Sequence, residues 1–427
     1  MKAYAALFSA LILISVTIIP AVGFGAASNQ PALDSNVQIT IEEDSKINQI
    51  TNTSLDSSDP DGDSITYNVS VGVLNGTLFV DGSGSGSVNE LLGGGEAVGT
   101  GAFTQADIDD GSLYYSHDGS ESANDSFEFD VTDGNGSSSG PHTFSINVTA
   151  VDDPPTLTTS SAGTNYTASA GGFVVDENLT VTDPDGGTIN GATVAIGSGF
   201  DASVDRLAVN STAVSDAGLT SSYDTSRGVL TLDGTASADE MQTVLRTVTY
   251  TYSGKATASA RGLDVSFALG TGGNIVFDPT TDHYYEHVSQ GKNFDNAKTA
   301  AASNTHLGQA GYLATITSER EDETIFNLTP NRVWIGASDE ATEGNWTWVT
   351  GSENGTQFWS GDGSGTVVNG GYDGWGEYGN GPEPQGGTYA VAHNQNQIGW
   401  FDSGDGTNEY IVEYGGLNGS SSTTAQR

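Results

Sequence analysis

The chain has 427 residues, enough for two to four domains, and 58 glycines that bring its 35% hydrophobic content close to the globular norm. With 54 Asp and Glu against 12 Lys and Arg, the formal net charge is −42; this repels phosphate backbones and anionic lipid head groups, argues against nucleic acid and bare membrane as partners, and suits a surface screened by high salt. Cysteine is absent, so no disulfide framework or thiolate metal site is available and stability has to come from cores and bound ions.

Residues 1–27 read as a secretory signal peptide: Lys2, an apolar run over 3–19, Pro20, then a small-residue stretch ending at Ala27. No later apolar run is long enough to cross a bilayer, so the mature protein is expected to be secreted or held at the cell surface without inserting into the membrane. About a dozen Asn-x-Ser/Thr sequons, among them Asn68, Asn147, Asn178 and Asn345, are potential glycan acceptors.

From residue 36 to 278, short Thr/Val/Ile/Tyr/Phe runs such as 37–41 and 126–131 alternate with Asp-Gly, Asn-Gly and Ser-Gly turn pairs. That pattern predicts antiparallel β-sandwiches. Asp59-Pro60-Asp61-Gly62-Asp63 is echoed by Asp183-Pro184-Asp185-Gly186-Gly187, and Asp152-Asp153-Pro154-Pro155 reads as the linker between two repeats. The first sandwich is therefore placed at 31–153 and the second at 154–272. Within the second, Ser237 and Glu240 form a capping box opening a short helix that carries Met241, Val244 and Leu245.

Past residue 273 the texture changes. Phe294, Ala297, Ala300 and Ala301 share one helical face, and Ser318 with Glu321 is a second capping box leading into Ile325 and Phe326. Trp-studded strands follow, which makes 273–416 a mixed α+β module, with 417–427 as a disordered tail. The fold class is thus mainly β: two antiparallel sandwiches in tandem, then an α+β domain. His283-Tyr284-Tyr285-Glu286-His287 spells the H-x-x-E-H pattern of one zinc-peptidase class, but Pro279, Gly291 and the tyrosines favour a strand, which separates the histidines from helical register.

Residues 103–119, followed by Asp125-Ser126-Phe127 and Val131-Thr132-Asp133-Gly134, resemble the cadherin-like repeat of chondroitin-sulfate-proteoglycan-type surface proteins. The second unit, through residues 229–232, the Ser237 helix and 248–250, is similar to repeats of prokaryotic adhesins. Residues 282–416 resemble the C-type lectin domain through Gly311-Tyr312-Leu313-Ala314-Thr315-Ile316, Trp334-Ile335-Gly336, Glu343-Gly344-Asn345-Trp346-Thr347-Trp348 and the closing run 410–416.

Ca²⁺ is the expected cofactor. Asp59, Asp61 and Asp63 supply carboxylates at spacing two in a turn, suited to an oxygen-seeking cation; without an ion the same residues are an acidic hairpin turn. The cadherin-like resemblance associates such acids with calcium near domain junctions, which adds Asp152 and Asp153, the echo Asp183 and Asp185, and Glu42, Glu43 and Asp44 as candidates. The lectin resemblance implies a calcium ion whose open positions take sugar hydroxyls. Glu383-Pro384-Gln385 matches its loop element with Gln for Asn, and Trp400-Phe401-Asp402 keeps the Trp and Asp with Phe where the family has Asn. The intermediate acid falls on Gly387 or Thr388 and is missing. Glu383, Gln385 and Asp402 are the surviving ligands, Asp373, Glu377 and Asp405 are possible substitutes, and Asp339 with Glu343 occupies the second calcium position. Tyr372 and Trp375 flank the loop and are placed to stack on a sugar or to cover its underside. The expected function is a calcium-binding adhesion protein that presents a lectin-like tip to glycans on a cell or surface layer. The alternative is a structural envelope protein whose tip holds a protein partner without sugar. There is no Ser-His-Asp signature or Gly-rich phosphate loop, and an enzyme is not expected.

Overall fold

The computed structural model describes residues 29–81, 96–160, 164–165, 172–254, 262–329, 331–378, 381–394, 397–415 and 420–426. The signal-peptide expectation lies outside them. Among the described residues no helix is long and apolar enough to cross a membrane. The chain packs as two compact units, one ending at Val151 and the other starting at Asp152.

The first unit is a sandwich of a five-stranded and a four-stranded sheet. Its register follows the period of two: in Asn124–Thr132 the side chains of Phe127, Phe129 and Val131 are buried while Glu128 faces out. These rings join Tyr67, Phe103 and Phe144 in one core, with Tyr67 stacked on Phe103 at 4.8 Å. One pairing departs from the antiparallel expectation, since Ile39–Glu42 runs parallel to the end of Ser138–Thr149. A helix at Gln105–Asp109 is opened by a Thr104–Asp107 capping box.

In the second unit the expected helix forms at Ala238–Leu245 with the Ser237–Glu240 box and Met241, Val244 and Leu245 buried. A further helix, Ser211–Asp216, is capped by Asn210. The sandwich sheet runs in the order Thr164–Asn165, Ser420–Gln426, Gly262–Leu269, Thr188–Ile196, Val229–Ser237, Thr220–Asp224. The tail expected to be disordered is thus a strand over Ser420–Gln426, antiparallel to Gly262–Leu269. Its Ser/Thr run has no apolar alternation to announce it, and the pairing is made by backbone groups at what is otherwise an open sheet edge. The α+β module is therefore spliced between two neighbouring strands of this sheet.

That module is built on a ten-stranded sheet that includes Ile275–Asp278, His283–Lys292, Asn408–Gly415, Val333–Ser338 and Asn345–Trp348. Its helices are Phe294–Ser303 and Glu319–Leu328. The second expected capping box is only half formed. Ser318 accepts from the Glu321 N–H, but the Glu321 carboxylate accepts from the N–H and hydroxyl of Thr317 instead of closing on Ser318. The H-x-x-E-H segment is a strand, as its tyrosines predict, and its histidines bond across to the neighbouring strand: His283 Nδ1 to Glu413 Oε1 at 2.6 Å and His287 Nε2 to Glu409 Oε2 at 2.7 Å.

Candidate functional site

Four stretches of the α+β module meet around one cavity of about 260 Å³, lined by Asp339, Glu343, Gly344, Trp346, Gly361, Asp362, Pro384, Gln385, Gly386 and Asp402. The strand Val333–Ser338 ends at Asp339, and the turn that follows carries Glu343 before Asn345–Trp348 begins. The Gly344 N–H donates to Asp339 Oδ2 at 2.9 Å and closes this turn. Opposite stands the segment Glu383-Pro384-Gln385, with a cis peptide before Pro384. Asp402, on the hairpin strand Gln397–Ser403, fixes that segment: its Oδ2 accepts the N–H groups of Gln385 at 2.7 Å, Gly387 at 2.5 Å and Gly386.

The electrostatics of this cavity are unresolved within the protein. Glu383 is 5% exposed and Asp339 is 3% exposed. Glu383 Oε1 accepts from the Gln385 amide at 3.0 Å, but Glu383 Oε2 and Asp339 Oδ1 are buried without a hydrogen-bond partner among the described residues. Burial, then the hydrogen bond and charge of Asp402, push the Glu383 carboxyl up to about 8. Burial works against Asp402 too, yet Glu383 and the three backbone N–H groups hold it below its usual value. Asp339 is raised by burial and by the like charges of Glu343 and Asp402, against the pull of Gly344. Two carboxyl groups this close require a shared proton or a cation between them. The donor set is all oxygen, charged and paired across one cavity, and it fits a hard divalent cation.

The structure thus brings Gln385, Asp402, Asp339 and Glu343 around one cavity and sets Glu383 beside Asp402, five residues read from the sequence as two separate sites. It adds Asp362 and Trp346, and Asp373, Glu377 and Asp405 do not line the cavity. Tyr372 and Trp375, placed beside the sugar from sequence, turn inward instead. Tyr372 points its hydroxyl at the buried Asp322, and Trp375 packs edge-on against Trp346 and Trp400 with its N–H buried. A six-ring aromatic cluster under the loop claims them, which is their covering reading.

In the first unit Asp59 Oδ1 accepts the N–H groups of Asp61 and Asp63, and the three carboxylates lie within 4.8 Å of one another. The echo is real in three dimensions: Gly62 N–H donates to Asp59 O and Gly186 N–H to Asp183 O, each glycine at positive φ, and each turn leaves one aspartate oxygen, Asp59 Oδ2 or Asp183 Oδ1, buried without a partner among the described residues. Asp185 instead accepts from the Asp153 N–H. Asp59, Asp61 and Asp63 belong to the first unit; Asp152, Asp153, Asp183 and Asp185 belong to the second. Glu43, also in the first unit, accepts the Val151 N–H on one oxygen, has no partner for Oε1 among the described residues, and has the Glu121 carboxylate within 4.8 Å.

Among solved structures, the human scavenger receptor C-type lectin carbohydrate-recognition domain aligns with a TM-score of 0.22 and 22% identity, covering 33% of this chain and 96% of that one. Halomucin of Haloquadratum walsbyi is 64% identical over 277 residues, 64% of this chain and 3% of halomucin. The alpha-N-acetylgalactosamine-specific lectin of Patiria pectinifera is 33% identical over 75 residues, 16% of this chain and 44% of the lectin. The chain therefore spans less than half the length of either relative. Residues 31–148 match the cadherin-like family and residues 290–410 the C-type lectin domain. The chain carries a cadherin-like domain followed by a C-type lectin domain. Neither is an enzyme family. The cavity described above lies entirely within the C-type lectin domain, and the Asp59 turn within the cadherin-like one.

Proposed function

We propose that this chain is a calcium-binding adhesion protein, secreted or held at the cell surface, whose C-type lectin domain recognises a glycan through a cation in the Glu383–Asp402 cavity. The observation that carries the reading is the set of acids at one cavity: Asp339, whose Oδ1 is buried without a partner among the described residues, lines it with Glu343 and Asp402, and the buried Glu383 carboxyl stands beside Asp402. Glu383, Asp402, Asp339 and Glu343 would supply charged ligands and Gln385 an amide oxygen, and calcium bound there supplies open coordination positions for vicinal sugar hydroxyls. The sandwiches serve as a stalk, stiffened by calcium at the Asp59–Asp63 turn, Glu43 and the Asp183 turn. The charge of −42 and the similarity to a halomucin support a setting of high salt, and the sequons at Asn68, Asn178 and Asn345, which are exposed, support a glycosylated surface.

A second reading has a specific observation behind it. Phe401 and Gly387 stand where the lectin resemblance calls for an amide and an acid, so the cation would have fewer ligands and the tip could grip a protein partner instead. Glycan-array binding in molar potassium chloride, with and without chelator, decides between them. Chelator-sensitive glycan binding supports the first reading; absence of any glycan signal alongside calcium-independent capture of a protein supports the second.

A further inference from the structure

Between the strands Gln357–Ser360 and Thr366–Val367 lies a five-residue loop, Gly361-Asp362-Gly363-Ser364-Gly365, that touches both halves of the cavity. On one side the Gly361 N–H donates to Gly344 O at 2.8 Å, which ties the loop to the turn bearing Asp339 and Glu343. On the other side Gly363 lies directly against Pro382, the residue before Glu383: a Cβ there would stand 2.7 Å from the Pro382 carbonyl carbon and collide with its oxygen. The loop is itself rigidly built. Trp359 Nε1 donates to Asp362 O at 3.2 Å, Gly365 N–H donates to the same oxygen at 2.7 Å, and the Ser364 N–H and hydroxyl both donate to Asp362 Oδ1.

A backbone strut that contacts both ligand-bearing segments sets the distance between them. Carboxylates brought from segments some forty residues apart have no covalent reason to hold a cation's spacing, and a shift of about 1 Å is enough to spoil such a site. We propose that residues 361–365 are the positioning loop of this cavity, holding the Asp339–Glu343 turn and the Glu383–Gln385 segment at cation-binding distance, and that Gly363 is glycine because only a missing side chain lets the loop press on the Pro382 carbonyl. The proposal rests on the cation reading given above. It names no new ligand; it assigns the geometry of that site to a loop outside the set of residues read from the sequence.

The test uses the full chain and calcium alone, followed by isothermal titration in molar potassium chloride, with the thermal transition in chelator recorded for each variant. Gly363→Ala is expected to weaken calcium binding tenfold or more while the transition in chelator stays within about 3 °C of wild type, because the clash is local to the loop. Trp359→Phe, which keeps an aromatic ring in the core but loses the pyrrole half of the indole with its N–H anchor, is expected to weaken binding about threefold and serves where Gly363→Ala does not fold. Gly404→Ala, where a Cβ meets nothing within 4 Å, is expected to bind as wild type does. Wild-type affinity in both Gly363→Ala and Trp359→Phe, with wild type itself binding calcium, overturns the positioning role alone. A silent titration of wild type overturns the cation reading and this proposal with it.

Discussion

Glu413 and Glu383 lie in the same domain, 1% and 5% exposed, and keep opposite company. Glu413 is fully engaged: His283 and Tyr312 bond one oxygen, and the N–H and hydroxyl of Thr315 bond the other. Glu383 has an amide on one oxygen, no N–H or hydroxyl donor on the other among the described residues, and the Asp402 carboxylate beside it, with which it bonds only by sharing a proton. Burial alone therefore does not set the two acids apart; the completeness of their hydrogen bonding does. Glu413, Glu321 and Asp278 knit strands and helices together, whereas Glu383 Oε2 and Asp339 Oδ1 meet no donor among the described residues.

Glu383→Ala probes that difference most strongly. It is expected to reduce calcium affinity of the lectin cavity at least 100-fold, with the circular dichroism spectrum unchanged, because the aromatic core beneath is untouched. Glycan binding measured in parallel is expected to disappear with it.

Next in size is the engaged side. Glu321 is pushed up to about 7, first by burial and then by the charge of Glu413. A carboxyl raised in the folded state from 4.5 binds more protons there than in the unfolded chain, so its contribution to stability is complete below about pH 4.5 and is lost as pH rises to about 7. At 1.36 kcal/mol per unit this amounts to about 3 kcal/mol. His283, raised by its bond to Glu413, acts in the same direction, its contribution fading as pH rises through its folded value. Glu321→Gln should flatten the stability profile between pH 4.5 and 7 in chemical denaturation, raise stability at pH 8, and leave calcium affinity unchanged. A loss of calcium binding in this variant would erase the distinction between the two kinds of acid.

Lower still is the effect of salt. Transfer from molar potassium chloride to about 0.01 M lengthens screening from roughly 3 to 30 Å, and the charge of −42 should then lower the thermal transition by several degrees. Smallest is the exposed turn of the cadherin-like domain. Asp61→Asn removes one of the three carboxylates proposed to hold calcium there, an exposed one that also accepts from Asn29, and is expected to lower the calcium-loaded transition by about 2 °C while leaving the transition in chelator unchanged.

Most of the scaffold was legible from local pattern. The Ser237 box, the Ala-rich face from Phe294 and the alternation of Asn124–Thr132 are each written within ten residues, and each formed as read. The helices at Gln105–Asp109 and Ser211–Asp216 were missed because they are one to two turns long and capped by residues equally common in turns. In the candidate site, Glu383, Gln385, Asp402, Asp339 and Glu343 were picked out by their motifs, but that four of them line one cavity with Glu383 beside it was not readable, since it depends on how the loops around 340, 362 and 384 fold onto each other. Tyr372 and Trp375 misled for the same reason: sequence neighbours of a loop look exposed until the ring cluster beneath it is assembled.

The central claim is that unpartnered buried oxygens, not acidity, mark the cation site. Calcium titration of wild type, Glu383→Ala and Glu321→Gln in molar potassium chloride tests it most directly. The account predicts matching affinity for wild type and Glu321→Gln and none at the lectin cavity for Glu383→Ala; equal binding by all three, or none by wild type, would contradict it.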